Sequence, residues 1–337
     1  MKKNTSNERK LCLAIPSLQV GGMERVMSVL ANFFCHKRDL QVHLVLYGKK
    51  PELFYMVPTI LVVHKPDNQF NDRMRLLSSI ERLLFIRRTI RRINPDSILS
   101  FGEYWNSFVL IALYGMQYHI YISDRAQPDK RLNKYHDLLR KCLYPRAAGI
   151  IAQTEKANMI YQKWGINSNI KTIGNPISLT KDLHSYSIRE NIILSVGRLI
   201  KTKNYDKLIE LFVTLGKPGW RLIIVGNDAQ KQHQKRKLEA LIRNLNAEEI
   251  VFLVGNHSDI KQFYSKSAIF AFASESEGFP NVIGEAQSYG LPVIAFDCIA
   301  GPSDLVFDNV NGYLIPLNDY DMFRRKLEIL MSNTELR

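Results

Sequence analysis

The stretch IFAFASESEGFPNVIGEAQSYGLPVIAFD, residues 269–297, reads as one complete structural unit. Ile269 to Ala273 is an unbroken apolar run, the pattern of a short strand buried on both faces. Gly278-Phe-Pro280 breaks the run. Asn281 to Tyr289 then has helical spacing and stops at Gly290. Val293 to Phe296 is a second apolar run. A strand, a helix and a second strand joined this way make a βαβ unit with parallel strands.

The same grammar extends outward in both directions. Upstream lie strands at Asn191 to Val196, Arg221 to Val225 and Ile250 to Leu253, with helices at Tyr205 to Phe212, Gln230 to Leu245 and Ile260 to Ser265. Downstream, Tyr320 to Met331 is the last helix. The first half alternates in the same way. Its strands are Leu11 to Pro16, Gln41 to Tyr47, Ile60 to Val63, Ser97 to Ser100, His119 to Ser123, Gly149 to Gln153 and Ile170 to Ile173. Gly174-Asn175-Pro176 is the best break, followed by a polar, poorly patterned stretch to Glu190. The fold class is α/β: two doubly wound, Rossmann-like domains, 1–175 and 176–337, with a ligand cleft expected between them. The last helix is free to pack back toward the first domain.

Length agrees, since 337 residues exceed one ordinary core and suit two. The four cysteines, Cys12, Cys35, Cys142 and Cys298, form no CxxC pair, against a disulfide scaffold, a cysteine-rich zinc site or an iron–sulfur cluster. No 18-residue apolar window or secretory leader pattern is present, so a cytosolic chain is expected. The net charge of +14 lies wholly in residues 1–175, which carry 27 Lys+Arg against 13 Asp+Glu; the remainder carries 19 of each. Such a field attracts nucleic acid, an anionic membrane or a phosphorylated substrate. No nucleic-acid module or basic–aromatic strand face accompanies it, so nucleic acid is not expected as a partner.

Chemistry concentrates at strand ends. Glu277 precedes the Gly-Phe-Pro turn and faces a ligand; Glu285 lies one turn into the following helix, where a carboxylate suits paired hydroxyls. The backbone N–H groups of that helix start suit an anion or a sugar oxygen. Both acids also fit solvated helix-start positions. Arg198 and Lys203, after another strand, supply a planar fork and a mobile point charge. Neither an Asp-x-Asp pair nor a His/Asp/Glu cluster at metal spacing is expected.

Together these segments resemble the glycosyltransferases of family 4, retaining enzymes of two-domain GT-B fold that use nucleotide-activated sugars. The resemblance covers nearly the whole chain. It rests on EGFPNVIGE, with Glu277 and Glu285 eight apart, followed by GLPVIAFD, Gly301-Pro302, Asp308 and Asn311-Gly312; on GRLIKTKNYDKLI, with Gly197, Arg198, Lys203 and Asn204; and on PSLQVGGMERV, with Gly21 and Gly22.

The resemblance implies that Arg198 and Lys203 bind the donor diphosphate without a required metal or tightly bound cofactor. Gly21 and Gly22 approach the diphosphate with bare backbone, Glu285 binds the ribose, and Glu277 binds the transferred sugar. Phe279 and Asn281 offer backbone near that sugar; Gly255 and Asn256 take the base, beside Gly226 and Asn227. The implied donor is a UDP-linked galactose, N-acetylgalactosamine or N-acetylglucosamine.

The acceptor side departs from the family pattern. Ser123-Asp124-Arg125 stands where many relatives place a histidine, and His119 sits too early, so Asp124 or Arg125 is the catalytic-side candidate, with Glu103 of SFGEYWN as another. No residue identifies itself as a nucleophile, which fits a front-face reaction.

The segment Arg73 to Ile93 carries seven arginines and one glutamate. Leu76, Ile80, Leu83, Leu84 and Ile90 form its expected apolar side. It reads either as a core-facing helix with a basic back or as a helix lying on an anionic membrane. With the family, this implies a peripheral enzyme of the cytoplasmic membrane's inner face, acting on a polyprenyl-diphosphate-linked glycan. A soluble sugar or sugar-phosphate acceptor, an epimerase, a phosphorylase and a non-catalytic binding protein are the rivals.

Overall fold

The computed structural model describes residues 8–19, 21–177, 189–228, 233–257 and 259–337. They form two compact units, Met1–Pro176 and Ile177–Arg337. The division falls one residue beyond the expected 175/176 break.

The first unit holds a seven-stranded parallel sheet: β1 (Arg9–Ile15), β2 (Leu40–Leu46), β3 (Val62–His64), β4 (Ser97–Phe101), β5 (Ile120–Ser123), β6 (Gly149–Ala152) and β7 (Ile170–Thr172). Its order is β3-β2-β1-β4-β5-β6-β7. The second holds six parallel strands: β8 (Ile192–Val196), β9 (Arg221–Val225), β10 (Val251–Gly255), β11 (Ile269–Phe272), β12 (Val293–Phe296) and β13 (Gly312–Ile315), ordered β10-β9-β8-β11-β12-β13. Both are doubly wound, and each reverses direction once, at β1/β4 and at β8/β11. Loops leaving the carboxyl ends of strands at such a reversal splay apart and leave a ligand crevice.

Each sheet is covered on both faces, so each unit has two apolar layers. This explains why β11 and β12 are buried at every position and read as continuous apolar runs rather than alternating ones. Helix ends follow local chemistry. Thr154 and Asn133 cap helices Glu155–Trp164 and Lys134–Leu143 by accepting from the N–H groups of Ala157 and His136.

Some expectations shift. β13 was not anticipated; four residues after Asn311 are too few to show a pattern. The expected helix start at Gln230 lies outside the described residues, and its described part runs Gln234–Asn244. Helix Arg75–Ile93 faces the core differently from its expected side. Its buried residues are Ser78, Arg82, Ile86, Thr89, Ile90 and Ile93, whereas Leu76, Ile80 and Leu84 are exposed. Arg87 is also not a free surface cation: its guanidinium donates to the carbonyls of Ala112 (3.0 Å) and Tyr114 (2.9 Å), capping the end of helix Glu103–Ala112.

Candidate active site

In the second unit, the β8 and β11 loops meet at the sheet's reversal. Glu275 N–H donates to the Thr202 carbonyl at 2.9 Å, and Ser274 Oγ to the same carbonyl at 3.2 Å, so one main-chain and one side-chain hydrogen bond stitch the two loops together. Lys203 and Glu277 are thereby brought together as an ion pair. Their side chains are 14% and 15% exposed, so the pair is largely withdrawn from water. Ser274 Oγ donates to the same Glu277 oxygen at 2.7 Å. The Lys203 ammonium also lies 5.2 Å from the Phe272 ring centroid. Arg198, by contrast, is exposed.

Glycine is required at two positions around this centre. A Cβ on Gly226 would stand 1.9 Å from the Gly197 carbonyl oxygen, so the β8 and β9 loops can touch only as bare backbone. A Cβ on Gly301, at φ +138°, would stand 2.2 Å from Pro280 Cδ. That contact seats the Gly278-Phe-Pro turn and explains the Gly301-Pro302 pair downstream of it. Beneath the loops, Asn204 Nδ2 and Tyr205 Oη are buried and, among the described residues, without a hydrogen-bond partner. Burial, and then the Glu277 charge, push the Tyr205 phenol well above its usual range.

Glu285 sits on helix Asn281–Ser288 and is 9% exposed. Its Oε2 accepts from Tyr264 Oη at 3.0 Å, and Tyr264 stacks on Tyr289 at 5.4 Å between centroids. Tyr264 was not foreseen; nothing in QFYS marks a tyrosine aimed at a helix two elements away. Phe279 and Asn281 stand on the turn beside Glu277. Gly255 ends β10, and its carbonyl accepts from Gly226 N–H at 2.8 Å, with Asn256 and Asn227 exposed at that rim.

In the first unit, Gly21 and Gly22 open helix Gly22–Cys35 after β1. The Gly21 backbone is tied to Tyr55: its N–H donates to Tyr55 Oη at 3.3 Å, and that hydroxyl lies 3.0 Å from the Gly21 carbonyl. Tyr55 was missed because it lies in an irregular segment.

Asp124 departs from its expected role of contacting the sugar. It is 5% exposed, and four donors surround its carboxylate: Asn106 Nδ2 (2.9 Å) and Tyr144 Oη (2.6 Å) on one oxygen, Arg140 (2.8 Å) and Tyr161 Oη (3.3 Å) on the other. A carboxylate so saturated is structural. Burial and the Asp124 charge push the phenols of Tyr144 and Tyr161 far up, so both remain neutral donors. Arg125 lies over the Phe101 ring at 3.3 Å and donates to Asn175 Oδ1 at 2.6 Å. His119 is exposed and immediately precedes the amino end of β5, with its Nδ1 3.3 Å from the Asp96 carbonyl.

Glu103 remains. It opens helix Glu103–Ala112 after β4, half-buried, and Tyr144 Oη lies 3.3 Å from its carbonyl. Burial raises its carboxyl pKa and Asp124 adds to this, against the N–H groups of Glu103 and Arg125.

Contrary to expectation, the chain does carry an Asp-x-Asp pair, Asp319-Tyr320-Asp321. Asp319 caps helix Tyr320–Ser332 by accepting from Met322 N–H at 2.9 Å. Among the described residues, no three His, Cys, Asp or Glu side chains are grouped to hold a metal ion.

Residues 20–181 match the family described as Glycosyltransferase Family 4, and residues 184–337 match Glycosyl transferases group 1. The chain belongs to the glycosyltransferases of family 4. It is 29% identical, over 98% of its own length and 92% of the relative's, to a Campylobacter jejuni N-acetylgalactosamine-N,N'-diacetylbacillosaminyl-diphospho-undecaprenol 4-alpha-N-acetylgalactosaminyltransferase. Its fold matches the lipopolysaccharide outer core galactosyltransferase WaaB in apo form, with TM-score 0.78 and 20% identity over 98% of this chain and 91% of that one. It also matches Anabaena HepE in complex with UDP, with TM-score 0.73 and 19% identity over 97% and 93%. This family 4 glycosyltransferase therefore has the GT-B architecture of two Rossmann-like units.

Proposed function

We propose that this enzyme moves a hexose or N-acetylhexosamine from a UDP-sugar to a polyprenyl-diphosphate-linked oligosaccharide, with retention at the anomeric carbon. The observation that carries the reading is the Lys203–Glu277 pair at the β8/β11 reversal, beside exposed Arg198. The UDP held by HepE and the diphospho-undecaprenol substrate in the C. jejuni relative's name support the donor and acceptor classes.

The chemistry follows from charge. As the bond from the anomeric carbon to the phosphate oxygen breaks, the leaving diphosphate gains negative charge, which fixed cations stabilise most in the transition state. Arg198 offers two parallel N–H donors, and Lys203 turns part of its charge from Glu277 to the phosphate. Glu277 then accepts from a sugar hydroxyl, and Glu285 from the ribose. The acceptor oxygen bonds to the same face of the anomeric carbon, and its proton passes to the leaving phosphate oxygen. This needs neither a protein nucleophile nor a metal.

No described helix is long and apolar enough to cross a membrane. The membrane contact belongs instead to the first unit, where exposed Leu76, Ile80 and Leu84 lie among arginines on one helix. A screen of UDP-, GDP- and ADP-sugars against a membrane-lipid extract, read by mass spectrometry, tests the whole assignment. A hexose or N-acetylhexosamine added from UDP alone to an organic-extractable glycan is expected. Transfer only to a water-soluble acceptor would overturn the lipid-linked assignment.

A further inference from the structure

The edge strand β3 and helix Arg75–Ile93 enclose a cavity of about 730 Å³ that the glycosyl-transfer chemistry does not use. Lys65, Arg82, Arg88 and Arg92 line it, against Asp67 and Glu81, with the His64 ring beside them. Four cations against two anions leave it with an excess of two positive charges.

Arg82 is the decisive residue. It is only 3% exposed, yet among the described residues its guanidinium pairs with no carboxylate; Nη2 donates to the Asn68 carbonyl at 2.6 Å, and Nε has no partner there. Burial lowers its pKa, partly offset by Glu81. A buried cation without a counter-ion is costly, and an anion in the cavity would relieve that cost. Arg88 and Arg92 also make no ion pair among the described residues and are exposed at its mouth.

The cavity does not stand alone on the helix. Residues 76, 80, 84, 88 and 92 follow at intervals of four, which places them along one ridge. The ridge reads Leu76, Ile80, Leu84, Arg88, Arg92. Its apolar members are 78%, 44% and 44% exposed, and Leu84 itself lines the cavity. An apolar ridge running into a cationic pocket matches a molecule with hydrocarbon at one end and phosphate at the other.

We propose that this cavity takes the headgroup phosphate of an anionic phospholipid, while Leu76, Ile80 and Leu84 enter the acyl layer. The inference rests on the membrane-facing reading of this helix and adds a defined headgroup site to it. A free phosphate could use the arginines but not the leucines.

The test is sedimentation of the full chain with phosphatidylcholine vesicles, with or without about a third phosphatidylglycerol. Arg88→Gln/Arg92→Gln removes two exposed cations from the cavity. Lys134→Gln/Lys163→Gln removes two exposed cations from elsewhere on the same unit. The parent should bind only the anionic vesicles. At about 1 kcal/mol per surface cation, the arginine pair should weaken that binding by roughly thirtyfold or more, and the lysine pair by about threefold or less. Arg82→Met should act like the arginine pair; if it fails to fold, the arginine pair still decides. Leu76→Ser/Ile80→Ser should weaken vesicle binding as well. Equal losses in the arginine and lysine pairs would show a diffuse field without a pocket, leaving membrane binding intact. A parent that ignores anionic vesicles would overturn the membrane reading and this site together. Specific displacement from vesicles by inorganic phosphate, where chloride of equal ionic strength has no effect, is expected; phosphate that binds the parent yet leaves vesicle binding unchanged would assign the cavity to a free anion and overturn the lipid site.

Discussion

Lys203 and Glu277 are each other's partners: the ammonium suited to the donor diphosphate is paired with the carboxylate suited to the sugar. Ser274 holds the shared Glu277 oxygen from the other side. The two groups therefore act as a unit, and a change in one alters the charge available to the other.

This coupling separates the two glutamates. Glu277→Gln should depress turnover while UDP affinity stays the same or tightens, because Lys203 no longer divides its charge. Glu285→Gln should weaken UDP binding, by about 1 to 3 kcal/mol if a charge-assisted hydrogen bond is lost. Calorimetric titration with UDP alongside steady-state kinetics distinguishes them; equal loss of UDP affinity in both variants would refute the division of roles.

Asp124→Ala should act on stability. It leaves Arg140 buried without its carboxylate partner and removes the acceptor of Asn106, Tyr144 and Tyr161. Breaking a buried pair in this way costs about 3 to 5 kcal/mol. Chemical denaturation followed by tryptophan fluorescence should show that loss in the first unit, with UDP affinity little changed. A parent-like midpoint with collapsed turnover would return Asp124 to the catalytic group.

Glu103 carries a pH signature. Its native carboxyl pKa is raised, so the native state holds its proton more tightly than the unfolded chain does. Its contribution to stability is then greatest below the usual carboxylate range and falls as pH rises through that range to the raised value. Glu103→Gln should remove this fall, making the variant gain on the parent between acidic and neutral pH in denaturant titrations. A constant difference across that range would contradict the shift.

What the sequence could reveal depended on how local each feature is. The β11–helix–β12 unit was legible because its strands are buried on both faces and its turn is marked by Gly278 and Pro280. Glu277, Arg198 and Lys203 were legible because they follow strand ends directly. The Asp124 network was not, because Asn106, Tyr144 and Tyr161 come from three separate helices or turns and meet only in the folded unit. For helix Arg75–Ile93 the sequence left open whether Leu76, Ile80 and Leu84 meet the core or a membrane, because they fit a helical apolar stripe as well as Ile86, Ile90 and Ile93 do. Periodicity finds stripes without saying which one meets the core.

Metal dependence is a separate expectation. If Arg198 and Lys203 balance the leaving charge, transfer should persist in excess chelator, with any added Mg²⁺ giving only a modest gain through product release. Abolition by chelator with restoration by one divalent ion would assign that charge balance to a metal.

The central claim is that these two cations carry the leaving diphosphate, and the turnover of Arg198→Ala and Lys203→Ala tests it most directly. Each should lose kcat/KM by tens-fold or more with the UDP-sugar donor, about 2 to 4 kcal/mol of transition-state stabilisation. Arg198→Ala should leave thermal unfolding unchanged, since that side chain is exposed. Lys203→Ala should also lower stability, by about 1 to 3 kcal/mol, because it strands the largely buried Glu277 carboxylate. Near-parent turnover in either folded variant would contradict the account and place the diphosphate elsewhere.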